Sequence, residues 1–559
     1  MKSSRKKTWV WVVTLGLLIV GLFLWLYPFP SSKKVDFSPS ANPLFYEGDR
    51  SEQFNGMTKK DRLYVPVDYI QHVVDPHIVY DEQSQSLIIT RAQNVYQIPQ
   101  SEAFYRKNDR KRYSPFPPLI KEEGQQWLAA DFLQDIYALS VKTYPNGAVH
   151  ILPHGFEKKT AAVKTDLKEY MYDLRSQPTV TSSYYTSLQA LDKVQVLQED
   201  SGFYLIVMSK GYTGYIPQDA LTIRGEVTVE TRIPPEETVK VTELTRPIHL
   251  AWDGIYTADA NPEEVKKYSG VDVLSPTWFT LSNQNGDIHS LAADSYVQSA
   301  HANGDKVWAL FSNDFDPELT SKVLPSYKKR SHMIQQLLQY AKQYKLDGIN
   351  LDFENVYEED GKWFTQFVRE LAPLAHKQGL VVSVDITFIS SSGQWSGFYE
   401  RAELSEAADF IAVMAYDEHW ATSSQAGSVA SLPWVESNLQ ALLKEVPSEQ
   451  LLLGIPLYTR LWEEKNGKVS STSMTMDEAE QWVKDNGLTP ELDESSGQHF
   501  IRTTKDGTTY KMWLENETSL KKRIKLIRKY DLAGIATWSV YFANEDTWNF
   551  IDEQLKLSE

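Results

Sequence analysis

Between positions 249 and 538 the chain alternates two hydrophobic rhythms. Short apolar runs with little polar interruption occupy residues 249–252, 271–274, 307–311, 348–353, 381–384, 410–416, 451–455 and 534–538, the pattern of parallel strands covered on both faces. Amphipathic stretches separate them: Ile334, Leu337, Leu338, Ala341 and Tyr344, for example, fall on one face of a helix. Eight such strands alternating with helices predict an α/β fold of the closed (β/α)8 TIM-barrel type over residues 247–559. A polar, hairpin-rich stretch at about 463–509 is too long to be an ordinary connection between the seventh and eighth strands, and predicts a small inserted subdomain.

Upstream the rhythm changes to short, alternating β-rich segments. Residues 62–91 and 125–152 read as two copies of one unit: Leu63-Tyr64-Val65-Pro66-Val67-Asp68-Tyr69-Ile70 corresponds to Trp127-Leu128-Ala129-Ala130-Asp131-Phe132-Leu133, and Ser86-Leu87-Ile88-Ile89-Thr90 to Ala148-Val149-His150-Ile151-Leu152. The duplicated unit, within residues 36–158, resembles the stalk domain at the N-terminus of copper amine oxidases, which implies a spacer or binding module and no copper. Between 168 and 224 further short strands end in Gly211-Tyr212-Thr213-Gly214-Tyr215-Ile216. This module resembles a bacterial SH3 domain, which implies a partner among cell-wall peptides or glycans, with a pure spacer as the alternative. Residues 225–246, with Pro234-Pro235 and mixed charge, read as a linker.

At the N-terminus, Lys2, Arg5, Lys6 and Lys7 lie in a basic segment, 1–8, ahead of an uncharged run at 9–27. Such a run is long enough as a helix to cross a bilayer. The basic flank predicts a cytoplasmic N-terminus and a single-pass chain in the cell membrane, with its large C-terminal part outside. Tyr27-Pro28-Phe29-Pro30 offers no small-residue cleavage site, so a signal anchor is expected rather than a removed signal peptide.

Composition narrows the chemistry. A formal net charge of -17 argues against nucleic acid as a partner, which would need clustered Lys and Arg. The absence of cysteine excludes disulfides and thiolate chemistry. His249, His301, His332 and His419 have no metal-ligand spacing, and no metal or other cofactor is expected.

The most informative stretch is Leu346-Asp347-Gly348-Ile349-Asn350-Leu351-Asp352-Phe353-Glu354. Strand alternation sets Asn350, Asp352 and Glu354 on one face and Ile349, Leu351 and Phe353 on the other. Barrel interiors are filled by aliphatic side chains, so a polar row there needs a reason, and Glu354 falls at the C-terminal end of the strand, where barrel enzymes keep their chemistry. A neighbouring carboxylate raises a carboxyl pKa, which would hold Glu354 protonated and able to donate to a leaving oxygen. Taken alone, the pattern also fits a buried cluster that only stabilises the barrel.

The stretch resembles the D-G-x-D-x-D-x-E signature of glycoside hydrolase family 18, with Asn350 where the signature has Asp, as in the branch of bacterial spore-cortex N-acetylglucosaminidases. Met414-Ala415-Tyr416-Asp417 resembles the family's M-x-Y-D, Gly454-Ile455-Pro456-Leu457-Tyr458-Thr459-Arg460 its G-x-P-x-Y-G-R with Thr459 for Gly, and Trp538 its eighth-strand Trp. Trp513-Leu514-Glu515 and a helix at 518–530 extend the likeness to the cortex-lytic branch. The resemblance implies a retaining, substrate-assisted hydrolysis of β-linked N-acetylglucosamine polymers. Glu354 would be the acid and base, Asp352 the stabiliser of the acetamide nucleophile, and Asn350 the residue holding Asp352. Met414, Tyr416, Asp417, Tyr458, Arg460 and Trp538 would bind substrate. Relatives that have lost the acid act as lectins, so a glycan-binding surface protein is the alternative. Peptidoglycan, its cortex form and chitin remain open as substrates, as does endo or exo attack.

Overall fold

Eight parallel strands close on themselves because each is buried on both sides. In this computed structural model they are β1 (Ile248–Asp253), β2 (Val273–Pro276), β3 (Lys306–Ser312), β4 (Gly348–Asp352), β5 (Val381–Thr387), β6 (Phe410–Met414), β7 (Leu451–Pro456) and β8 (Gly534–Trp538). Each pairs with its neighbours in sequence, β8 pairs with β1, and the ring is complete. Inward-facing side chains, among them Leu250, Trp252, Val273, Trp308, Leu310, Phe410 and Leu452, fill the lumen. Ile349, Leu351 and Phe353 belong to the second apolar layer, beneath the helices, as the alternation predicts. Gly348 is required here: a Cβ would meet the Trp308 ring at 2.6 Å and the Val381 carbonyl at 2.9 Å.

The described residues are 11, 14–17, 19, 21, 29–37, 42–237 and 244–557. Most of the expected anchor at 9–27, and all of the basic segment at 1–8, lie outside them. Among the described residues no helix is long and apolar enough to cross a membrane.

Contacts divide the chain into two units, one of Met1–Val79, Gln97–Arg106 and Arg110–Glu237, the other of Tyr80–Tyr96, Lys107–Asp109 and Thr238–Glu559. In the first unit the strand Arg62–Pro66 runs straight into the helix Val67–Val73, and Gln125–Ala129 into Ala130–Ile136. These two strands pair antiparallel, with Val65 opposite Leu128. A seven-stranded sheet follows in the order Tyr184–Ser187, Asp173–Arg175, Thr213–Pro217, Phe203–Met208, Lys193–Asp200, Glu157–Val163, Leu221–Thr228. Its last two strands reach beyond the expected 168–224 module. Most of Leu221–Thr228 is exposed, and Arg224, Gly225 and Glu226 interrupt its apolar alternation, yet it pairs along the whole of Glu157–Val163.

In the second unit, helices α1 (Tyr327–Tyr344) and α2 (Gly361–His376) flank β4. Ile334, Leu337 and Ala341 of α1 are buried, and Leu338 and Tyr344 pack against the same core. Arg330 of α1 donates to both oxygens of Glu370 on α2, at 3.0 and 2.7 Å, and the two side chains are almost wholly buried. Glu370→Ala is expected to destabilise the barrel by about 3–5 kcal/mol, since it strands a guanidinium in the interior. Urea unfolding of the variant against the parent measures it, and a change below about 1 kcal/mol would refute the assignment.

The inserted subdomain runs from the strand Thr459–Lys465 to the strand Thr508–Leu514, wider at both ends than the polar stretch suggests. It is a five-stranded antiparallel sheet with one helix, Met476–Asp485, and its own core of Leu461, Ala479, Val483, Ile501, Met512 and Leu514. The helix begins with a reciprocal capping box between Thr475 and Glu478. The chain leaves through Glu515 into α3 (Glu517–Tyr530). Glu515 and Arg523 of α3 form a buried ion pair, and Arg523 also donates to the Ala430 carbonyl.

Candidate active site

The C-terminal ends of the barrel strands surround a pocket of about 860 Å³. Asp352 is the last residue of β4, Met414 of β6 and Trp538 of β8, so all three arrive at the rim by strand register. Tyr416 and Asp417 follow just beyond β6, Tyr458 just beyond β7, and Arg460 lies in the first strand of the insertion. The structure thus brings Asp352, Glu354, Met414, Tyr416, Asp417, Tyr458, Arg460 and Trp538 into one lining. Asn350, two residues deeper on β4, is fully buried beneath it.

Backbone contacts fix Glu354. Its N–H donates to the Asn313 Oδ1 at 3.0 Å, and the Asn313 Nδ2 donates back to its carbonyl at 2.8 Å. The Tyr399 hydroxyl donates to the Phe353 carbonyl at 2.8 Å. Asn355 takes a φ of 52°, which turns the chain away from the strand immediately after the acid. The Glu354 carboxyl is therefore presented by main chain clamped on both sides.

The electrostatics favour retaining protons within this carboxyl cluster, foremost on Glu354. Desolvation raises Glu354 well above the usual carboxylate range, with Asp352, Asp385 and Asp417 adding to the effect in that order. Burial also lifts Asp352, to about 7. Asp385 on β5 is raised by burial and by Asp352, while hydrogen bonds from Asn350 and Trp252 oppose the rise. Negative charge on all three together is strongly disfavoured at this spacing and depth. Burial raises the Tyr416 hydroxyl well above its ordinary value too, which keeps it a donor.

Asn350 does not hold Asp352, contrary to expectation. Its amide nitrogen donates to Ser383 Oγ at 3.0 Å and to Asp385 Oδ1 at 2.8 Å. Its oxygen accepts from Trp252 Nε1 at 3.0 Å and Ser275 Oγ at 3.0 Å. All four partners come from β1, β2 and β5, so the amide is saturated by the lumen and has nothing left for β4. One oxygen of Asp352, Oδ1, is buried with no hydrogen-bond partner among the described residues.

On the opposite wall, Asp417 sits at a φ of 59° and accepts from the Tyr458 hydroxyl at 2.6 Å and Arg460 Nη2 at 3.0 Å. Arg460 also donates to Ser473 Oγ at 3.1 Å, within the insertion. Thr459, where the signature has Gly, is buried, and its hydroxyl accepts from the Glu515 N–H at 2.9 Å. That residue secures the exit of the inserted subdomain. Asp347, the first residue of the signature, is not in the pocket: its carboxylate accepts from the Val307 N–H and from His301 and Lys306, joining β3 and β4 at their N-terminal ends.

Asp385, Trp252, Ser275, Ser383, Tyr399 and Asn313 lie outside the sequence motifs that mark the site. So do Tyr256, Phe315 and Trp395, which line the pocket mouth and remain exposed at 70%, 48% and 44%. Exposed rings at the rim of a polar trough suit the faces of sugar rings.

Residues 277–543 match the family model for glycosyl hydrolases family 18, and residues 49–151 match that for the copper amine oxidase N-terminal domain. The chain is 30% identical over 285 residues to the uncharacterized glycosylase YvbX of Bacillus subtilis (strain 168), a match covering 49% of this chain and 82% of that protein. It is 23% identical over 250 residues to the cortical fragment-lytic enzyme of the same organism, covering 44% of this chain and 58% of that enzyme. It spans less than two thirds of the latter. The spore cortex-lytic enzyme SleL of Bacillus megaterium QM B1551 shares the fold, with a TM-score of 0.50 and 18% identity over 60% of this chain and 77% of that one.

Proposed function

The chain belongs to glycosyl hydrolase family 18 and is a glycosidase; from that premise we propose that it cleaves β-linked N-acetylglucosamine-containing glycans of the cell wall by a retaining, substrate-assisted route. The observation that carries this reading is the meeting of Glu354, Asp352, Tyr416 and Trp538 in one pocket, with Glu354 held protonated by desolvation and by neighbouring carboxylates.

Their placement supports a role for each residue. Glu354 donates its proton to the glycosidic oxygen, and as a carboxylate later takes one from the water that completes hydrolysis. The nucleophile is the acetamide oxygen of the sugar on the non-leaving side, so no second carboxylate has to attack. Asp352 accepts from the acetamide N–H and stabilises the positive charge that develops on that group; its unpartnered Oδ1 has capacity for the bond. The Tyr416 hydroxyl donates to the acetamide oxygen. Trp538 underlies the sugar ring, and Met414, Asp417, Tyr458 and Arg460 shape the wall beside it.

The wall rather than chitin is favoured by the relatives named for cortex lysis and by the expected anchor. Product profiles from purified peptidoglycan and from chitin oligosaccharides test this. Preference for the oligosaccharides, with wall material untouched, would overturn the wall assignment.

The proposed location is the cell membrane, with residues 28–559 outside, supported by the basic flank and the uncharged run at 9–27. Protease added to intact protoplasts is expected to degrade the barrel while the protein stays with the membrane fraction. Protection of the barrel, or release of the mature chain into the medium, would contradict it. A groove in the first unit, lined by Lys142, Tyr144, Lys193, Met208 and Arg224, supports a second contact with the wall through its acidic peptides.

A further inference from the structure

The strand β5 carries a carboxylate that the mechanism above leaves unused. Asp385 is 1% exposed, yet it lines the floor of the pocket together with Asp352 and Glu354. Both of its oxygens are held: Oδ1 accepts from Asn350 Nδ2 at 2.8 Å and Oδ2 from Trp252 Nε1 at 3.1 Å. A carboxyl group taken this far from water is costly unless the fold uses its charge or its proton. The β4 motif meanwhile has a neutral amide at Asn350, directly below Asp352, where the signature has a carboxylate.

We propose that Asp385 is a positioning residue for hydrolysis, supplying from β5 the lumen carboxylate that β4 lacks at position 350. The inference rests on the glycosidase reading and adds to it. Asn350 and Trp252 hold Asp385 still. Asp385 in turn sets the field under Asp352 and Glu354, keeping the proton of Glu354 in place until a glycosidic oxygen takes it. The charged and titratable groups around it are Asp352 and Glu354 from β4, Tyr399 from the segment after β5, and Tyr416 and Asp417 from beyond β6. The nearby cations are engaged elsewhere: Arg401 donates to the Thr387 carbonyl and to Ser396, and Arg460 to Asp417. Among the described residues no cation therefore offsets Asp385, and its effect on Glu354 is to raise the affinity for a proton.

The direction is testable. In Asp385→Asn the repulsion that favours protonated Glu354 is lost, so its pKa falls. The alkaline limb of the kcat/KM profile, which reports the protonated acid, should move down by about one pH unit. At the wild-type optimum kcat should fall by about tenfold or more, with KM little changed. The double variant Asn350→Asp/Asp385→Asn returns a carboxylate to the lumen on β4 and should recover most of the lost activity and the original limb.

The experiment compares the full chain, the single variant and the double variant on a fluorogenic β-N-acetylglucosamine oligosaccharide from pH 4 to 9, with melting temperatures recorded alongside. Wild-type kcat and limb in Asp385→Asn would overturn the proposal. So would a folded single variant that loses activity equally at every pH while the double variant recovers nothing. If the single variant does not fold, the double variant decides: activity with the wild-type limb supports the proposal, and a folded but inactive protein overturns it. An inactive wild-type chain would instead refute the functional reading, and this inference with it.

Discussion

Glu354→Gln is expected to remove turnover while the protein stays folded and continues to bind glycan. The amide preserves the shape of the side chain, and Glu354 is fixed through its backbone by Asn313 and through its neighbour by Tyr399, so its position does not rest on the carboxyl. What is lost is a transferable proton. General acid and base catalysis by one positioned group is worth about two to four orders of magnitude, and here one residue serves both halves of the reaction. The variant should melt at or above the parent temperature near neutral pH, since the folded state no longer has to hold a proton that the unfolded chain would release. Measuring kcat and the affinity for an N-acetylglucosamine oligomer separates the outcomes. Retention of more than about a tenth of the parent kcat would mean that another group donates the proton.

Asp352→Asn is expected to cost about two to three orders of magnitude in kcat, on the scale of losing one preorganised electrostatic contact to a developing charge. An amide can still accept a hydrogen bond from the acetamide N–H, but it stabilises a positive oxazolinium poorly. The same reasoning fixes the stereochemistry. If the acetamide attacks, the product keeps its anomeric configuration, and a substrate with a free amine at the cleaved sugar is not cut there. NMR of fresh product reads the first, and partly deacetylated oligomers the second. Inversion, or undiminished cleavage after a deacetylated sugar, would rule out substrate assistance even with Glu354 essential.

The barrel was legible because its strands are buried on both sides and announce themselves as apolar runs with little polar interruption. The site was legible at β4, where Asn350, Asp352 and Glu354 alternate with Ile349, Leu351 and Phe353. The same alternation exists on β5, where Ser383 and Asp385 alternate with Val382, Val384 and Ile386. The apolar run at 381–384 ends one position short of its carboxylate. The alternation itself carries Asp385, though not that Asn350 turns toward it, because that choice depends on Trp252 and Ser275 filling the other side of the amide. Such partners lie 98 and 75 positions away and leave no local trace. Loop aromatics such as Phe315 and Trp395 were invisible for a related reason, since position in a loop has no period to betray it.

Thr459 and Glu515 are one hydrogen bond apart, and between them lies a subdomain with a core of its own. The insertion therefore enters and leaves the barrel through a single doorway. A chain whose two ends already touch can be shortened to a turn at little entropic cost to the scaffold. In evolutionary terms this wall of the cleft is exchangeable: it can grow, shrink or be replaced while β7 and α3 keep their positions. Its first strand nevertheless delivers Arg460 to Asp417. Any replacement inherits the duty of grasping that carboxylate, which makes the doorway a place where substrate range can drift without the barrel being rebuilt.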